Sequence, residues 1–325
     1  RQIDLSISST PQLRSLREVC EAAQAAGQRT LILAFDHFWA QYRPGQAGPR
    51  HLMPDMDAYV QRIAAISRFA AGYGLGLELS LLSPLEIGTA YQRATGESGV
   101  WMQYRKGVCD PTTGAFSVAL WRHRRWANNK GAFALEEAGV RVFAFDEQPL
   151  PGTRYRVVDP ASLVEFTGEI GEERFPDAAI DTGPGGLRLE RARIFGRGDA
   201  GGRSRVLVVP HYRTPEMDYF SPQALPFLTA LVDKYVDAGV SLNALYADEM
   251  HIQQDWHYAT HHEHGDFALR YVSPGLARAF AARYGAEYAD FARFLIYFCQ
   301  GQDDFSADIF AARENLQHVR GATPE

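Results

Sequence analysis

Two neighbouring carboxylates follow an apolar run late in the chain, and they are the residues best suited to chemistry. Asp248 and Glu249 come directly after residues 242–247, whose composition is typical of a buried strand. Hydrolysis of a glycosidic bond needs one carboxylic acid as proton donor and a second carboxylate as base or nucleophile. Burial against aromatic side chains such as Tyr246 and Trp256 raises the pKa of a carboxyl group, which keeps a donor protonated near neutral pH. We therefore predict that Asp248 and Glu249 are catalytic.

Alternation of side chains along the strand separates the roles of these two carboxylates. Successive residues of a strand point to opposite sides, so Glu249 shares a side with Ala247, and Asp248 shares the other side with Tyr246. We predict that Glu249 is the general acid or base and that Asp248 orients it or binds a cation. The alternative is that the pair caps a helix and does no chemistry.

Polar residues also lie at the ends of three other apolar runs, residues 30–35, 75–82 and 206–209. In parallel α/β folds, ligands bind at the carboxyl ends of the strands, so we expect these ends to converge on one crevice. The same crevice would accept a sugar, because hydroxyl-rich ligands need polar groups and aromatic faces. The predicted substrate-binding residues are Asp36, His37, Trp39, Glu78, His211, Tyr212, His251 and Trp256.

The elements that must position these residues alternate between strand and helix at both ends of the chain. Amphipathic patterns predict helices over residues 12–27, 55–72 and 222–238, each followed by an apolar run. Between about residues 100 and 197, short strands alternate with turn signals, which is typical of antiparallel sheets. We therefore predict three segments: residues 1–99 as the first part of a (β/α) barrel, 100–197 as an inserted β-rich module, and 198–325 as the continuation of the barrel.

The predicted fold is α/β, a (β/α)8 TIM-barrel-like arrangement with an inserted antiparallel β-sandwich-like module. A closed barrel needs eight parallel strands, and the sequence supplies four apolar runs of that kind. Either the fold is not a closed barrel or the chain is the front part of a longer protein. We favour the second of these, with the chain holding the front part of a (β/α)8 barrel.

A histidine-rich segment follows the carboxylate pair and offers a second kind of chemistry. Imidazoles and carboxylates bind zinc, so a metal-dependent hydrolase is the first alternative, using His251, His257, His261 and Asp248. The spacing is not that of an HExxH site, and a polar loop that binds ligand hydroxyls is the favoured interpretation. The metal ligands are therefore left unassigned. A non-catalytic carbohydrate-binding protein is the remaining alternative.

Composition excludes several classes of partner. The formal net charge is −6, and the richest basic run, Arg122-His123-Arg124-Arg125, is short and flanked by tryptophans, so we predict no nucleic-acid partner. No apolar run approaches the roughly 20 residues of a membrane span, so we predict no membrane insertion.

Cys20, Cys109 and Cys299 lack CxxC spacing and are typical of free buried thiols. Secreted and cytoplasmic locations both fit the sequence, and it does not predict an oligomeric state.

Three sequence features together resemble one enzyme family. The segment DYFSPQA at residues 218–224 precedes a helix and then a strand that ends in Ala247-Asp248-Glu249, and AFAARYG follows at residues 279–285. Over about residues 185–298 the chain resembles the α-L-rhamnosidase-type glycoside hydrolases, which have (β/α)8 catalytic domains. The resemblance implies an inverting glycosidase, often calcium-assisted, that acts on plant or microbial polysaccharide, and it matches Glu249 to a catalytic acidic position. Met250 stands where the family usually has proline, and no later residue matches the second catalytic carboxylate.

Overall fold

A computed structural model describes residues 2–4, 13–33, 53–82, 84–128, 131–149, 151–152, 156–181, 188–247 and 269–299. The chain divides into two compact units. The first, here the α/β unit, comprises Arg1–Gly99, Asn129–Gly131 and Pro215–His251. The second, here the sandwich unit, comprises Val100–Asn128, Ala132–Thr214 and Ile252–Glu325.

Strands outnumber helices in the described part of the chain. The strands, in chain order, are β1 (Gln2–Asp4), β2 (Leu13–Ser15), β3 (Thr30–Leu33), β4 (Gly76–Leu79), β5 (Gly99–Gln103), β6 (Arg105–Val108), β7 (Phe116–Asn128), β8 (Gly131–Ala134), β9 (Glu136–Phe145), β10 (Gln148–Pro149), β11 (Arg156–Val157), β12 (Val164–Glu165), β13 (Thr167–Asp181), β14 (Arg188–Asp199), β15 (Arg205–Thr214), β16 (Leu242–Leu245) and β17 (Leu269–Tyr271). The helices are α1 (Leu16–Ala25), α2 (Asp57–Ala71), α3 (Pro84–Thr95), α4 (Ala224–Asp237), α5 (Pro274–Tyr284), α6 (Phe291–Phe294) and α7 (Ile296–Cys299).

Helix α1 begins at Leu16 because Ser15 forms a capping box with Glu18. The Glu18 N–H donates to Ser15 Oγ at 3.2 Å, and the Ser15 N–H donates to Glu18 Oε2 at 2.7 Å. These bonds satisfy two backbone donors that a helix start leaves free. The residues just before Ser15 pair with β1 instead of extending the helix.

The α/β unit is built on a three-stranded parallel sheet with the strand order β16-β4-β3. Leu31, Leu77 and Leu79 are buried in a core to which helices α1 to α4 contribute. Odd-numbered residues of β3 and β4 therefore face the helices. The opposite face, which we call the open face, carries Ile32, whose side chain is 70% exposed.

The sandwich unit contains two antiparallel sheets with a core between them. The larger sheet has the order β12-β9-β15-β5-β17, with β6 also paired to β15, and the smaller has the order β13-β14-β7-β8. Their inner faces share one buried apolar cluster, since alternate residues of each strand point inward. Its members on the four longest contributing strands are Phe116, Val118, Leu120, Val142, Ala144, Ile194, Val206 and Val208.

The outer face of the larger sheet is also covered. Phe143 and Phe145 of β9 and Leu207 and Val209 of β15 pack in a second buried cluster, away from the inner core. The chain from α6 to α7 contributes Ala292, Leu295 and Ile296 to that cluster. Strands β9 and β15 are therefore buried on both faces.

The prediction of a (β/α)8 barrel is wrong. The described sheets are open and mostly antiparallel, and the parallel pairs are those of β3, β4 and β16. Residues 206–209, predicted as a parallel barrel strand, lie in β15, which pairs antiparallel with β9 and β6. Burial on both faces explains the error, because it gives a continuous apolar run in either kind of sheet. No helix in the described ranges is both long and apolar enough to cross a membrane.

Candidate functional site

Most of the predicted site residues follow the three strands of the parallel sheet in the sequence. The candidate site is therefore the carboxyl edge of that sheet. Leu33, Leu79 and Leu245 form one register row across β3, β4 and β16. Pairing continues past this row, since the Tyr246 N–H donates to the Leu79 carbonyl at 2.9 Å and the Leu82 N–H donates to the Tyr246 carbonyl at 3.4 Å. The main chain is therefore held in the sheet to within two residues of Asp248.

Glu78 lies on the central strand of this sheet, one residue before that row. Ile32 and Ala244 are its register partners on either side, so all three belong to the open face. Glu78 is half-buried, whereas its chain neighbours Leu77 and Leu79 are fully buried against the helices. Its carboxylate is therefore on the side of the sheet that the helices leave free.

The amino end of the open face is fixed by Asn243, which reaches across β4 to β3. Its Nδ2 donates to the Thr30 hydroxyl at 2.8 Å and to the Arg29 carbonyl at 2.9 Å. The amide crosses directly over Gly76, where a Cβ would overlap it. Glycine at position 76 therefore permits a side-chain bridge that ties the three strands together.

His211 and Tyr212 do not belong to this sheet, which corrects the expectation of four converging strand ends. Both are in β15 of the sandwich unit. Tyr212 is fully buried, its hydroxyl donates to Gln103 Oε1 at 2.9 Å, and it accepts from the His123 N–H at 3.3 Å. The Arg122 guanidinium carbon lies 5.0 Å from its ring centroid, and burial raises the pKa of Tyr212 to about 12. These contacts give Tyr212 a structural role between the two sheets.

Two effects favour the neutral form of the His211 imidazole. Burial, and next the positive charge of Arg141, keep the pKa of His211 below its ordinary value. Arg141 itself binds Asp290 at 2.7 Å and Glu165 at 2.8 Å, so the carboxylates near His211 are already paired with a guanidinium. This arrangement links β9 to β12 and to Asp290, just before α6.

The basic run at residues 122–125 takes part in an ion network that the sequence did not reveal. Glu137 accepts from three arginines, Arg122 at 3.0 Å, Arg124 at 2.8 Å and Arg174 at 2.6 Å. Burial alone would raise the pKa of Glu137, but the Arg174 hydrogen bond and the Arg122 charge outweigh it and hold the pKa below its usual range. Glu172 and Glu190 complete the network. Arg122 and Arg124 therefore pair with carboxylates inside the sandwich unit, and burial leaves Arg122 only 1% exposed.

The DYFSPQA segment leads directly into α4 and is held by local hydrogen bonds. Asp218 Oδ1 accepts from the Phe220 N–H, and Ser221 Oγ accepts from the Gln223 N–H, both at 3.1 Å. The Gln223 side chain donates to Glu97 Oε1 at 2.9 Å, and the Tyr91 hydroxyl donates to the other oxygen of Glu97. These bonds connect the start of α4 with the end of α3, so the segment has a packing role.

The remaining predicted site residues lie outside the described residues. These are Asp36, His37, Trp39, Asp248, Glu249, His251 and Trp256, together with the other histidines of residues 257–264. Among the residues that the structure does describe, no group of three or more His, Cys, Asp or Glu side chains could hold a metal ion. Comparison with known proteins finds no matching family model, no matching curated protein and no matching solved structure.

Proposed function

We propose that the carboxyl edge of β3, β4 and β16 carries the active site of a glycoside hydrolase. The observation that supports this is the register of the sheet, which sets three parallel strands side by side with polar residues following each of them. Ligands of open parallel sheets bind beyond the carboxyl ends of the strands. The Asp248-Glu249 pair supplies the principal acid–base group, and Glu249 is our choice for that role.

Residue counts along the two outer strands suggest the partner carboxylate. Asp36 follows Leu33 by three positions and Glu249 follows Leu245 by four, and those two leucines share a register row. Strand β4 lies between β3 and β16, so the outer strands are two strand spacings apart, about 9 to 10 Å. Asp36 is therefore our candidate for the second carboxylate.

We propose inversion of configuration at the sugar, as the resemblance to the α-L-rhamnosidase-type glycoside hydrolases implies. Inverting glycosidases hold their carboxyl groups about 6.5–9.5 Å apart to admit a water molecule, whereas retaining enzymes hold them at about 5–5.5 Å. One carboxylic acid would protonate the leaving oxygen while the other carboxylate removes a proton from the attacking water. Glu78, on β4 between the two outer strands, would accept hydrogen bonds from sugar hydroxyls.

Turnover of aryl glycosides by single-carboxylate variants tests the proposal. We expect Glu249→Gln and Asp36→Asn each to lower kcat/KM by at least about 100-fold, the usual contribution of a general acid or base. Glu21→Gln is the matched control, because Glu21 is exposed on α1 of the same unit and should leave kcat/KM unchanged. The first-formed anomer, followed by proton NMR, should have the configuration opposite to that of the substrate.

Two results would contradict the glycosidase proposal. Stoichiometric zinc or iron in the purified protein would favour a metal-dependent hydrolase that uses His251, His257, His261 and Asp248. Ligand affinity without turnover in the unmodified chain, unchanged by Glu249→Gln, would indicate a carbohydrate-binding protein that does no chemistry.

If calcium assists the proposed enzyme, a chelator should lower its rate and added calcium should restore it.

A further inference from the structure

The smaller sheet of the sandwich unit has one face directed away from the core. Even-numbered residues such as Leu120, Ala192 and Ile194 are buried toward the other sheet. Arg191, Arg193 and Phe195 alternate with them on β14 and are exposed. We call this exposed side of β13, β14 and β7 the outer sheet face.

Three register rows define the chemistry of the outer sheet face. The rows are Phe175–Arg191–Trp121, Glu173–Arg193–Ala119 and Gly171–Phe195–Ser117. Strands lie about 4.8 Å apart and alternate residues of one strand about 7 Å apart, so the rows form a compact grid. Phe175 is 38% exposed and Phe195 is 40% exposed, so both rings are accessible on this face.

Aromatic rings and guanidinium groups stack on each other across this face. The guanidinium carbon of Arg191 lies 5.5 Å from the Trp121 ring centroid, and that of Arg193 lies 5.6 Å from the Phe195 ring centroid. Gly171 makes room for the Phe195 ring, since a Cβ at position 171 would come within 2.7 Å of it. The result is a surface of aromatic groups with cationic groups beside them.

The two arginines of the outer sheet face differ in their ion pairing. Arg193 is paired with Glu173 of the neighbouring strand. Arg191 has its contact with Trp121 but no ion pair with any residue that the structure describes. The Arg191 guanidinium is therefore a cationic group beside the Trp121 ring that could bind an anion. The chain as a whole nevertheless has a net charge of −6.

We propose that the outer sheet face binds an acidic polysaccharide. The C–H face of a sugar ring would stack on Phe195 or Trp121, and a uronate carboxylate would accept two hydrogen bonds from the planar guanidinium of Arg191. Glu173 would accept hydrogen bonds from sugar hydroxyls. A nucleic acid fits less well, because its binding relies on many cations meeting closely spaced phosphates, whereas Arg193 is already paired with Glu173.

Affinity electrophoresis of the full chain in gels that contain polygalacturonate or neutral dextran tests this proposal. We expect retardation by polygalacturonate and none by dextran, with the retardation weakened by salt. Arg191→Ala should weaken binding at least tenfold, and Arg191→Lys should not restore it, because an ammonium cannot make the planar two-point contact. Phe195→Ala provides an independent variant with the same expected loss.

The matched control is Arg213→Ala, since Arg213 is an exposed arginine of β15 in the same unit. It should bind polygalacturonate as the unmodified chain does. Equal retardation by dextran, no retardation at all, or unchanged binding by folded Arg191→Ala and Phe195→Ala would overturn the proposal. Tighter binding of a single-stranded oligonucleotide would overturn it too, as would a dimer that Phe195→Ala dissociates. Because binding is measured without turnover, failure here is distinguishable from failure of the hydrolase proposal.

Discussion

Gly76 and Asn243 are separated by about half of the chain, yet the Asn243 bridge depends on the absence of a side chain at position 76. Gly76→Ala would set a methyl group against the Asn243 amide, which bridges to Thr30 across the central strand. We expect a loss of about 1–3 kcal/mol in the free energy of unfolding, the usual cost of overpacking. Urea unfolding, with hydrogen exchange of the amides in β3 and β4, measures it.

A double-mutant cycle separates the clash from the effect of alanine itself. In an Asn243→Ala background the same Gly76→Ala change should be neutral or stabilising, because the amide that it strikes is gone and alanine reduces backbone freedom in the unfolded chain. The φ of Gly76 is outside the left-handed region, so the backbone tolerates a side chain there. Equal losses in both backgrounds would show that the bridge has no energetic importance.

Glu137 links charge to stability in the sandwich unit. Its folded-state pKa is held below the ordinary value, so its contribution to stability is present above the unfolded pKa of about 4.3 and is lost as pH falls through the folded pKa. Glu137→Gln should cost about 3 kcal/mol at pH 7, because it leaves the buried Arg122 undercompensated. Hydrogen exchange of the β9 amides reports this loss.

The same variant should also flatten the pH dependence of stability below about pH 4.3. The difference in the free energy of unfolding between the unmodified chain and Glu137→Gln should shrink as the pH is lowered. Glu136→Gln is the control, because Glu136 is exposed at the start of β9. A constant difference from pH 7 to pH 3 would contradict the role assigned to the Glu137 carboxylate.

At the scale of elements, Tyr212 fastens β7 of the smaller sheet to β15 and β5 of the larger one. Tyr212→Phe keeps the ring under Arg122 but removes the hydrogen bonds to Gln103 and from the His123 amide. We expect a loss of about 1–2 kcal/mol, the cost of disrupting buried hydrogen bonds. Faster hydrogen exchange in β7 and β15 would measure it.

An exposed tyrosine of the same unit serves for comparison. Tyr284 ends helix α5 with its side chain 51% exposed, and Tyr284→Phe should change the free energy of unfolding by less than about 0.5 kcal/mol. Equal effects of the two substitutions would mean that the hydroxyl of Tyr212 does not hold the sheets together.

The positions of helices and strands along the chain were predicted better from sequence than the pairing of the strands with one another. Helices α2 and α4 lie inside the ranges 55–72 and 222–238 that their apolar spacing predicts, and most of β7 and β14 lies between residues 100 and 197, where short strands are predicted. Their register was not predictable, because hydrophobicity shows which face is buried but not which strand lies beside it. β15 shows this most clearly, since its apolar run fits a parallel strand as well as the antiparallel strand observed.

At the scale of the whole molecule, the sequence correctly predicted that some of the polar strand ends follow strands of one sheet. Three of the four polar strand ends follow β3, β4 and β16, which do lie side by side. The fourth, at His211 and Tyr212, belongs to another unit, and no local signal distinguishes a polar strand end in a sandwich from one in a parallel sheet. The ion network of Glu137 joins residues from β7, β9, β13 and β14, so it becomes visible only when the fold is known.

The place of β15 in the chain has a consequence for biosynthesis. This strand pairs with both β6 and β9 in the larger sheet, yet about 100 residues separate the end of β6 at Val108 from its start at Arg205. At 5–20 residues per second, a ribosome needs roughly 5–20 s to make that stretch. During that time the nascent strands have apolar faces and unpaired edges, which makes them prone to aggregate. Emergence of residues 205–214 therefore sets the earliest moment at which β6 and β9 can pair with β15, and a chaperone that shields β6 and β9 would act in that interval.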